Sequence, residues 1–319
     1  MYRYLVTGGA GFIGSHIVER LLGEGHSVVV LDNFSSGKQE NLLFTNNSPQ
    51  YATRFKLIKG DIRDSSTCDN ACQGIDFVLH QAALRSVPKS LENPTEYNEV
   101  NINGTLNMLE ASRQHKVKRF VFASSSSVYG DTAQFPEKET DLSVLISPYA
   151  LTKLAGEYYC RVYSHNYNLP TVCLRYFNVY GPRQALDDEY AVVIPKFINC
   201  ILNNESPPIF GNGKQSRDFT YIDNVVEANL LACKAPDLKW AVFNIANGKN
   251  QTILELVALL NKIINKNIQP VYLAVRAGDV FQTLADISQA EKMLGYHPGV
   301  DFKEGLERTV KWFKENQRS

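Results

Sequence analysis

The 319-residue chain is predicted to be an α/β protein, with a doubly wound parallel sheet and a smaller C-terminal α/β lobe. Short apolar runs alternate with helical segments through the first half of the chain, which is typical of a parallel sheet. A glycine-rich turn joins the first apolar run to the first helix. Small or polar residues follow the apolar runs, at the edge where such sheets bind ligands.

The predicted strands are the apolar runs of the first half. They cover residues 4–7, 28–31, 55–58, 77–80, 119–122 and 171–174. A first helix is predicted over residues 15–22, and longer helical segments cover residues 95–114 and 149–166.

Composition argues against several classes of partner and site. Apolar residues make up 44% and charged residues 21% of the chain, which is ordinary for a globular protein. The formal net charge is zero, so no nucleic-acid or anionic-membrane partner is expected. No apolar run approaches the roughly 20 residues of a membrane span, and the N-terminus lacks a signal-peptide pattern, so a cytoplasmic protein is expected. The six cysteines lack metal-site spacing, so we expect free thiols and no metal.

The glycine-rich turn has the pattern of a dinucleotide-binding loop. It reads Thr-Gly-Gly-Ala-Gly-Phe-Ile-Gly over residues 7–14. Gly8 suits a tight turn, Gly11 lets the backbone approach a pyrophosphate, and Gly14 permits close helix packing. The next strand ends at Asp32, whose carboxylate suits a ribose diol and repels a 2′-phosphate. The pattern therefore predicts a Rossmann-type domain that binds NAD in preference to NADP.

Tyr149 and Lys153 are candidate catalytic residues. They stand four residues apart in a predicted helix, so their side chains share one face. An ammonium nearby stabilises a phenolate and lowers its pKa, which makes the pair a proton acceptor for an alcohol. Four serines, 124–127, follow the fifth predicted strand. A serine here is expected to hydrogen-bond a substrate hydroxyl, since no base is paired with it for nucleophilic attack.

Several segments together resemble the extended short-chain dehydrogenase/reductase superfamily. They are residues 7–14, 61–62, 124–130, the Tyr149-x-x-x-Lys153 pair and residues 175–182. Within that superfamily they look like the UDP-sugar 4-epimerases, most of all those of UDP-N-acetylglucosamine. The resemblance implies an NAD-binding Rossmann domain over residues 1–180, to which 218–246 return. Residues 181–319 would mainly form a UDP-sugar-binding lobe.

The resemblance also implies a reaction, the reversible epimerisation of a UDP-hexose at C4 through a 4-keto intermediate. NAD would stay tightly bound and be regenerated in each cycle. Tyr149 would take the proton of the 4-hydroxyl, while Lys153 would lower the Tyr149 pKa and bind the nicotinamide ribose. Ser125, helped by Ser126, would hydrogen-bond the 4-oxygen. The other residues implied at the cofactor site are Gly8, Gly11, Phe12, Ile13, Gly14, Asp32, Asn33, Ser36, Gly37, Asp61, Ile62, Gln81, Ala82, Ala83, Asn101 and Tyr176.

The C-terminal half is implied to hold most of the UDP-sugar. Arg217 and Arg276 would bracket the diphosphate, and Asp279 would hold the uridine ribose. Two guanidinium groups suit a diphosphate, and a carboxylate suits a diol. The other residues implied at the substrate site are Arg85, Ser86, Ser125, Ser126, Asn178, Gln184, Val192, Val193, Lys196, Ile209, Phe210 and Thr283.

Two positions distinguish this chain from members of the superfamily that catalyse other reactions. Dehydratases of the superfamily carry an acidic pair or a glutamate in the serine segment, and decarboxylases carry a glutamate there. This chain has Ser126 and Ser127 at those places. The serines favour plain C4 oxidation and re-reduction over elimination or decarboxylation.

The choice of sugar depends on two further positions. Thr283 stands where UDP-galactose-specific members carry a tyrosine, which leaves room for an N-acetyl group. This favours UDP-N-acetylglucosamine and UDP-N-acetylgalactosamine, with UDP-glucose and UDP-galactose alongside. Arg85 replaces a usual glycine and is suited to pair with a C6 carboxylate, so UDP-glucuronate or a UDP-N-acetylhexosaminuronate is the alternative. A non-catalytic dinucleotide-binding sensor is a further alternative, although such proteins usually lack the tyrosine–lysine pair.

A homodimer is expected from the predicted helices 95–114 and 149–166. Both carry apolar faces broader than one sheet covers. The resemblance implies that these helices pair across a two-fold axis.

Overall fold

The computed structural model describes residues 1–185, 193–275 and 280–316, with the exception of the Asn47 side chain. The strands are β1 (Arg3–Thr7), β2 (Ser27–Asp32), β3 (Phe55–Lys59), β4 (Phe77–His80), β5 (Arg119–Ser125), β6 (Thr171–Tyr176), β7 (Val179–Tyr180), β8 (Pro208–Phe210), β9 (Ser216–Asp218), β10 (Thr220–Tyr221), β11 (Trp240–Ile245), β12 (Asn250–Thr252) and β13 (Val271–Leu273). The α-helices are α1 (Phe12–Gly23), α2 (Pro49–Ala52), α3 (Ser65–Cys72), α4 (Val87–Glu92), α5 (Pro94–Asn98), α6 (Gly104–Gln114), α7 (Pro148–Tyr167), α8 (Val193–Leu202), α9 (Ile222–Lys234), α10 (Ile253–Ile264), α11 (Ser288–Leu294) and α12 (Phe302–Asn316).

A seven-stranded parallel sheet organises the fold, in the order β11-β6-β5-β4-β1-β2-β3. The six strands predicted in the first half are all in it, and the predicted doubly wound fold is confirmed. The chain winds outward from β1 through β2 and β3, and then outward on the other side through β4, β5 and β6. The winding therefore reverses between β1 and β4, and a crevice opens there at the carboxyl ends of the strands.

Helices cover both faces of the sheet with apolar side chains. On one face, Ile17 and Leu21 of α1 and Val225 of α9 belong to a cluster that continues into α10 and α12. On the other face, α3, α6 and α7 close a second cluster around the fully buried Phe120 and Cys160. The predicted helix over 95–114 forms α5 and α6, with a π-helical turn, Glu99–Asn103, between them.

The second half of the chain builds small two-stranded sheets beyond the edge of the central sheet. β8 pairs with β13, β9 with β12, and β7 with β10. β11 lies within residues 218–246 and joins the central sheet beside β6. The predicted division of the chain into two domains remains a prediction. No helix among the described residues is long and apolar enough to cross a membrane.

A buried ion pair ties α7 to the ends of two central strands. Arg175 of β6 donates two hydrogen bonds to the Glu157 carboxylate of α7, at 2.9 and 2.8 Å. The hydroxyl of Ser124, at the end of β5, donates to the same carboxylate. Both charged side chains are about 95% buried, with 5% and 4% of their surfaces exposed. The position of α7 on the sheet therefore depends on a charge pair held out of water.

Arg175→Met is expected to lower the free energy of unfolding by about 3–5 kcal/mol, because it leaves the Glu157 carboxylate buried without its counter-ion. Urea denaturation followed by far-UV circular dichroism measures the change. Arg113→Met breaks an exposed ion pair with Glu110 and is the matched control, expected to leave the unfolding free energy nearly unchanged. Equal effects from the two variants would contradict a charge-dependent attachment of α7.

Candidate active site

A cavity of about 500 Å³, the cofactor cavity, opens at the carboxyl ends of β1, β2, β4 and β5, where the winding reverses. Most residues predicted for the cofactor lie in its wall. They are Gly8, Gly11, Phe12, Ile13, Gly14, Asp32, Asn33, Ser36, Gly37, Asp61, Ile62, Gln81, Ala82, Ala83, Tyr149, Lys153 and Tyr176.

The glycine turn leaves free backbone donors at one side of this cavity. Gly8 has a φ of +65°, and a Cβ there would lie 2.8 Å from the amide nitrogen of Ala82. A Cβ on Gly14 would lie 2.1 Å from the Gly8 carbonyl oxygen. Helix α1 begins at Phe12 and receives no side-chain cap. Its first N–H groups and its dipole therefore suit the pyrophosphate of a dinucleotide.

Acidic and amide side chains line the cofactor cavity next to the glycine turn. The two oxygens of Asp32 accept hydrogen bonds from the amides of Ala10 (2.9 Å) and Phe34 (2.8 Å), which fixes the carboxylate. Burial raises the pKa of Asp32. Arg63 pairs with Asp61 at 2.8 Å and holds the pKa of that carboxyl well below its usual range. Each carboxylate oxygen of Asp32 keeps a second lone pair for a diol.

Tyr149 and Lys153 lie in the first turns of α7, whose N-cap Ser147 accepts a hydrogen bond from the Ala150 amide. Burial raises the pKa of Tyr149, while the Ser125 hydrogen bond and the Arg85 charge act in the opposite direction. Lys153 Nζ donates to the carbonyl of Ala123 at 2.8 Å, and burial lowers the Lys153 pKa to about 8. The pKa of Tyr149 is thus raised overall, whereas its spacing from Lys153 predicted a lowered pKa. Desolvation of the phenolate dominates, and the ammonium is engaged with the strand.

The loop after β4 carries Arg85 into the cofactor cavity on a fixed backbone. Asn101 accepts from the Leu84 amide at 2.8 Å and donates to the Leu84 carbonyl at 3.0 Å. The Ser86 amide donates to the hydroxyl of Tyr97 at 3.0 Å. Arg85 itself is exposed and lies in the cavity wall with Ser86.

Asn101 does not lie where it was predicted. It was expected in the wall of the cofactor cleft, but it is 2% exposed and stands behind the loop that forms the wall. Its amide also donates to Thr152 of α7 at 3.0 Å. The side chain therefore satisfies backbone groups of the loop and not those of a ligand.

A second cavity, of about 440 Å³, adjoins the first on the side of the C-terminal lobe. The two cavities share Ser126, Ser127, Asn178 and Gln184 in their walls. The predicted substrate residues that line the second cavity are Ser126, Asn178, Gln184, Val193, Lys196, Ile209, Phe210, Arg217 and Thr283. Val192, Arg276 and Asp279, also predicted, lie outside the described residues.

Thr283 is fixed by the residues around it. Its hydroxyl accepts from Asn178 Nδ2 at 2.9 Å and from the Asp218 amide at 3.1 Å. Asn178 holds this contact from a backbone with a φ of +36°. A small, immobile side chain thus stands at the position predicted to face the 2-substituent of a sugar.

Five charged residues in these walls were missed from the sequence: Lys38, Arg63, Glu96, Arg183 and Glu137. Arg183 lines the cofactor cavity from the turn after β7, where it pairs with Glu19 of α1. Glu137 lines the second cavity from the long connection between β5 and α7. Arg183 follows a Gly-Pro turn signal, so a loop at the sheet edge was foreseeable there. Glu137 stands in a charged segment that has no periodic pattern, and no sequence signal marks it.

Comparison with known proteins agrees with this architecture. The model of the NAD dependent epimerase/dehydratase family matches residues 4–246. A putative UDP-glucose 4-epimerase of Methanocaldococcus jannaschii is 40% identical, over 99% of this chain and 99% of its own length.

Two solved structures are similar along almost the whole chain. One is a UDP-N-acetylglucosamine 4-epimerase from Methanobrevibacter ruminantium in complex with UDP-N-acetylmuramic acid, with 42% identity, a TM-score of 0.93 and 98% of each chain covered. The other is a UDP-glucuronic acid 4-epimerase from Bacillus cereus in complex with UDP-glucuronic acid and NAD, with 35% identity and a TM-score of 0.89 over 98% of this chain and 99% of its own. The protein therefore belongs to the NAD dependent epimerase/dehydratase family, and its cofactor is NAD.

Proposed function

We propose that the chain is a UDP-sugar 4-epimerase that interconverts UDP-N-acetylglucosamine and UDP-N-acetylgalactosamine, with activity on UDP-glucose and UDP-galactose alongside. The observation that carries the proposal is the place of Tyr149 and Ser125. They line the cofactor cavity beside Ser126 and Ser127, which also line the second cavity. A sugar that extends from the second cavity toward the cofactor therefore reaches the phenol and the serine hydroxyls.

The residues of the cofactor cavity fit NAD. The free N–H groups of α1 suit the pyrophosphate, and Asp32, which accepts a hydrogen bond from Ala10 of the glycine turn, suits the adenosine ribose. Lys153, a buried donor in the wall beside Tyr149, is proposed to bind the nicotinamide ribose. When bound, NAD accepts a hydride from C4 of the sugar and returns it.

Tyr149 is proposed to move the proton in this reaction. As the phenolate, it would accept the proton of the 4-hydroxyl and later return it, so no net oxidation results. The Ser125 hydrogen bond and the Arg85 charge favour the phenolate against the cost of burial. Ser125 is placed to bond the 4-oxygen as well, which aligns the hydroxyl with the phenol.

The serine segment supports epimerisation over the other reactions of the family. Elimination of water at C5 and C6 needs an acid and a base, and neither Ser126 nor Ser127 supplies one at neutral pH. The Glu137 carboxyl also reaches the second cavity, but it accepts a hydrogen bond from the Leu284 amide at 2.9 Å. It is held by the wall and not presented to C5 or C6.

The N-acetylated sugars are favoured because Thr283 is small and fixed, which leaves space beside Asn178. The similar structure from M. ruminantium holds UDP-N-acetylmuramic acid, an N-acetylated sugar nucleotide, which agrees with this choice. Arg85 supports the second candidate, a uronate. Its charge acts on Tyr149, so a carboxylate bound to it would lie close to C4. The B. cereus relative is named for glucuronic acid.

A homodimer is proposed from the outer face of α7. Leu151, Tyr158 and Val162 lie on that face with 54%, 59% and 44% of their surfaces exposed. They recur at helical spacing, so they form one apolar stripe. A second copy of α7 is the simplest surface of matching shape and character.

Tyr149→Phe is expected to lower kcat by about 10²–10⁴-fold, because it removes the proton acceptor while keeping the ring. The purified variant is expected to retain NAD at the wild-type stoichiometry, measured by absorbance after release. Tyr167→Phe, at the exposed end of the same helix, is the control and should turn over normally. Unchanged turnover by Tyr149→Phe would contradict the phenolate mechanism, whereas NAD binding without any turnover by the wild-type protein would favour a dinucleotide sensor.

UDP-N-acetylglucosamine, UDP-glucose and UDP-glucuronate should be incubated separately with the purified enzyme, with the 4-epimers resolved by chromatography or NMR. We expect products from the first two, since the small Thr283 side chain accommodates the 2-substituent of either sugar and binding does not depend on a carboxylate at C6. Arg85→Gly is expected to preserve the order of preference between them. Turnover of the uronate alone, lost in Arg85→Gly, would reverse the assignment in favour of the second candidate.

Light scattering is expected to give twice the 35.8 kDa mass of one chain. Tyr158→Glu should shift the protein toward the monomer, because it places a charge in the apolar stripe. Tyr272→Glu, equally exposed on β13, is the matched control and should remain dimeric. A wild-type monomer in dilute buffer would rule out the proposed pairing.

A further inference from the structure

Glu137 is a buried acid in the wall of the second cavity, and the proposed reaction does not use it. Only 2% of its surface is exposed, although it stands in the chain between two solvated segments. Arg217 and Thr283 line the same cavity. The residue thus lies where the proposed function places the diphosphate and the sugar, although it has the wrong charge for an anion.

The contacts of Glu137 fix the segment of chain that carries Thr283. Its amide donates to the Leu284 carbonyl at 2.7 Å, and its carboxyl accepts from the Leu284 amide at 2.9 Å. The Asp286 amide donates to the Glu137 carbonyl at 2.9 Å. Both backbone groups of Leu284 are therefore taken by this one residue.

Asp218 holds the same segment from the other side. It accepts from the Ala285 amide at 3.3 Å, and the Thr283 amide donates to Ser216 of the same strand at 3.1 Å. Four successive amides, 283–286, thus alternate between the β9 side and the Glu137 side. Two of their acceptors are buried carboxyl groups, which face each other across a single strand of chain.

The proton of this pair belongs on Glu137. Burial raises the pKa of Glu137 and of Asp218, each to about 7. Asp218 is compensated by the amides of Ala285, Asn247, Gly248 and Lys249, whereas Glu137 has the Leu284 amide alone. More donors favour the ionised form, so Asp218 carries the charge and Glu137 stays neutral.

The other charges near Glu137 make its ionisation matter for the substrate. Asp218 and Asp141 oppose its charge and Arg217 favours it, while Tyr296 faces Asp218. Arg217 is also the predicted partner of the diphosphate. An ionised Glu137 would partly neutralise the charge of Arg217 and would repel a diphosphate in the same cavity.

We propose that Glu137 is a positioning residue that must be neutral for tight binding of the UDP-sugar: protonated, it holds the Thr283 segment and leaves the charge of Arg217 to the diphosphate. This inference rests on the proposed function, because it takes the second cavity to be the UDP-sugar site. Binding is then linked to one proton, and affinity falls as pH rises through the titration of Glu137.

The test measures the dissociation constant of UDP-N-acetylglucosamine by calorimetry on the NAD-loaded Tyr149→Phe protein, which removes turnover and the titration of that phenol. The diphosphate of the ligand is a diester and stays fully ionised throughout. From about pH 6 to about pH 8.5 the dissociation constant is expected to rise at least about fivefold, with a limiting slope of tenfold per pH unit for one proton. Adding Glu137→Gln, which keeps an acceptor for the Leu284 amide, should make the dissociation constant nearly independent of pH over the same range.

Asp141→Asn in the same background is the matched control. It removes a neighbouring charge but not the titrating group, so the rise should persist with its midpoint unchanged or at lower pH. Two results would overturn the inference while the proposed function stands. One is a dissociation constant that does not change with pH when Glu137 is present. The other is an equal rise of the dissociation constant in the Glu137→Gln variant. Failure to bind at any pH would remove both.

Discussion

The buried contact between Glu157, Arg175 and Ser124 is the constraint on which the active site depends. It joins the helix that carries Tyr149 to the strand that leads into the serine segment and to the strand that leads into Asn178. The bond from Lys153 to the Ala123 carbonyl reinforces the same attachment one turn away from Tyr149. The phenol, the serines and the asparagine are thus parts of one rigid unit, although they are distant in sequence. Preorganisation of this kind lets a proton acceptor act without reorganising the site.

The two cavities divide the electrostatic tasks of the proposed reaction. The cofactor cavity offers backbone N–H groups and, next to them, the Asp32 carboxylate, which matches a dinucleotide with a diphosphate and a ribose diol. The second cavity has cationic side chains, Lys196 and Arg217, and the acid Glu137 in the same wall. The serines at the junction are uncharged, so in the proposed reaction the sugar meets hydroxyl groups there, and Arg85 in the wall of the cofactor cavity is the charged group that acts on the phenol. A neutral junction suits a reaction whose start and end states carry the same charge.

Much of the fold was predictable because its signals are local. Apolar runs and helical periodicity located the six strands of the first half, and the order of elements dictated the sheet edge where Gly8, Asp32 and Tyr149 meet. Side-chain direction was not predictable in the same way. Asn101 lies behind a loop that lines the cavity, and its side chain bonds the Leu84 amide of that loop. Glu137 lines the second cavity from a segment that has no periodic pattern. The net shift of the Tyr149 pKa also depends on burial, which the spacing of a tyrosine and a lysine does not contain.

The loop at Leu84–Ser86 has an implication for how substrate preference evolves. Asn101 and Tyr97 hold its backbone through atoms of the flanking residues, Leu84 and Ser86. A change of that residue alters the charge beside the reaction centre while the framework is preserved. Under the proposed function, a single substitution at such a position would shift the preference between neutral and acidic sugars.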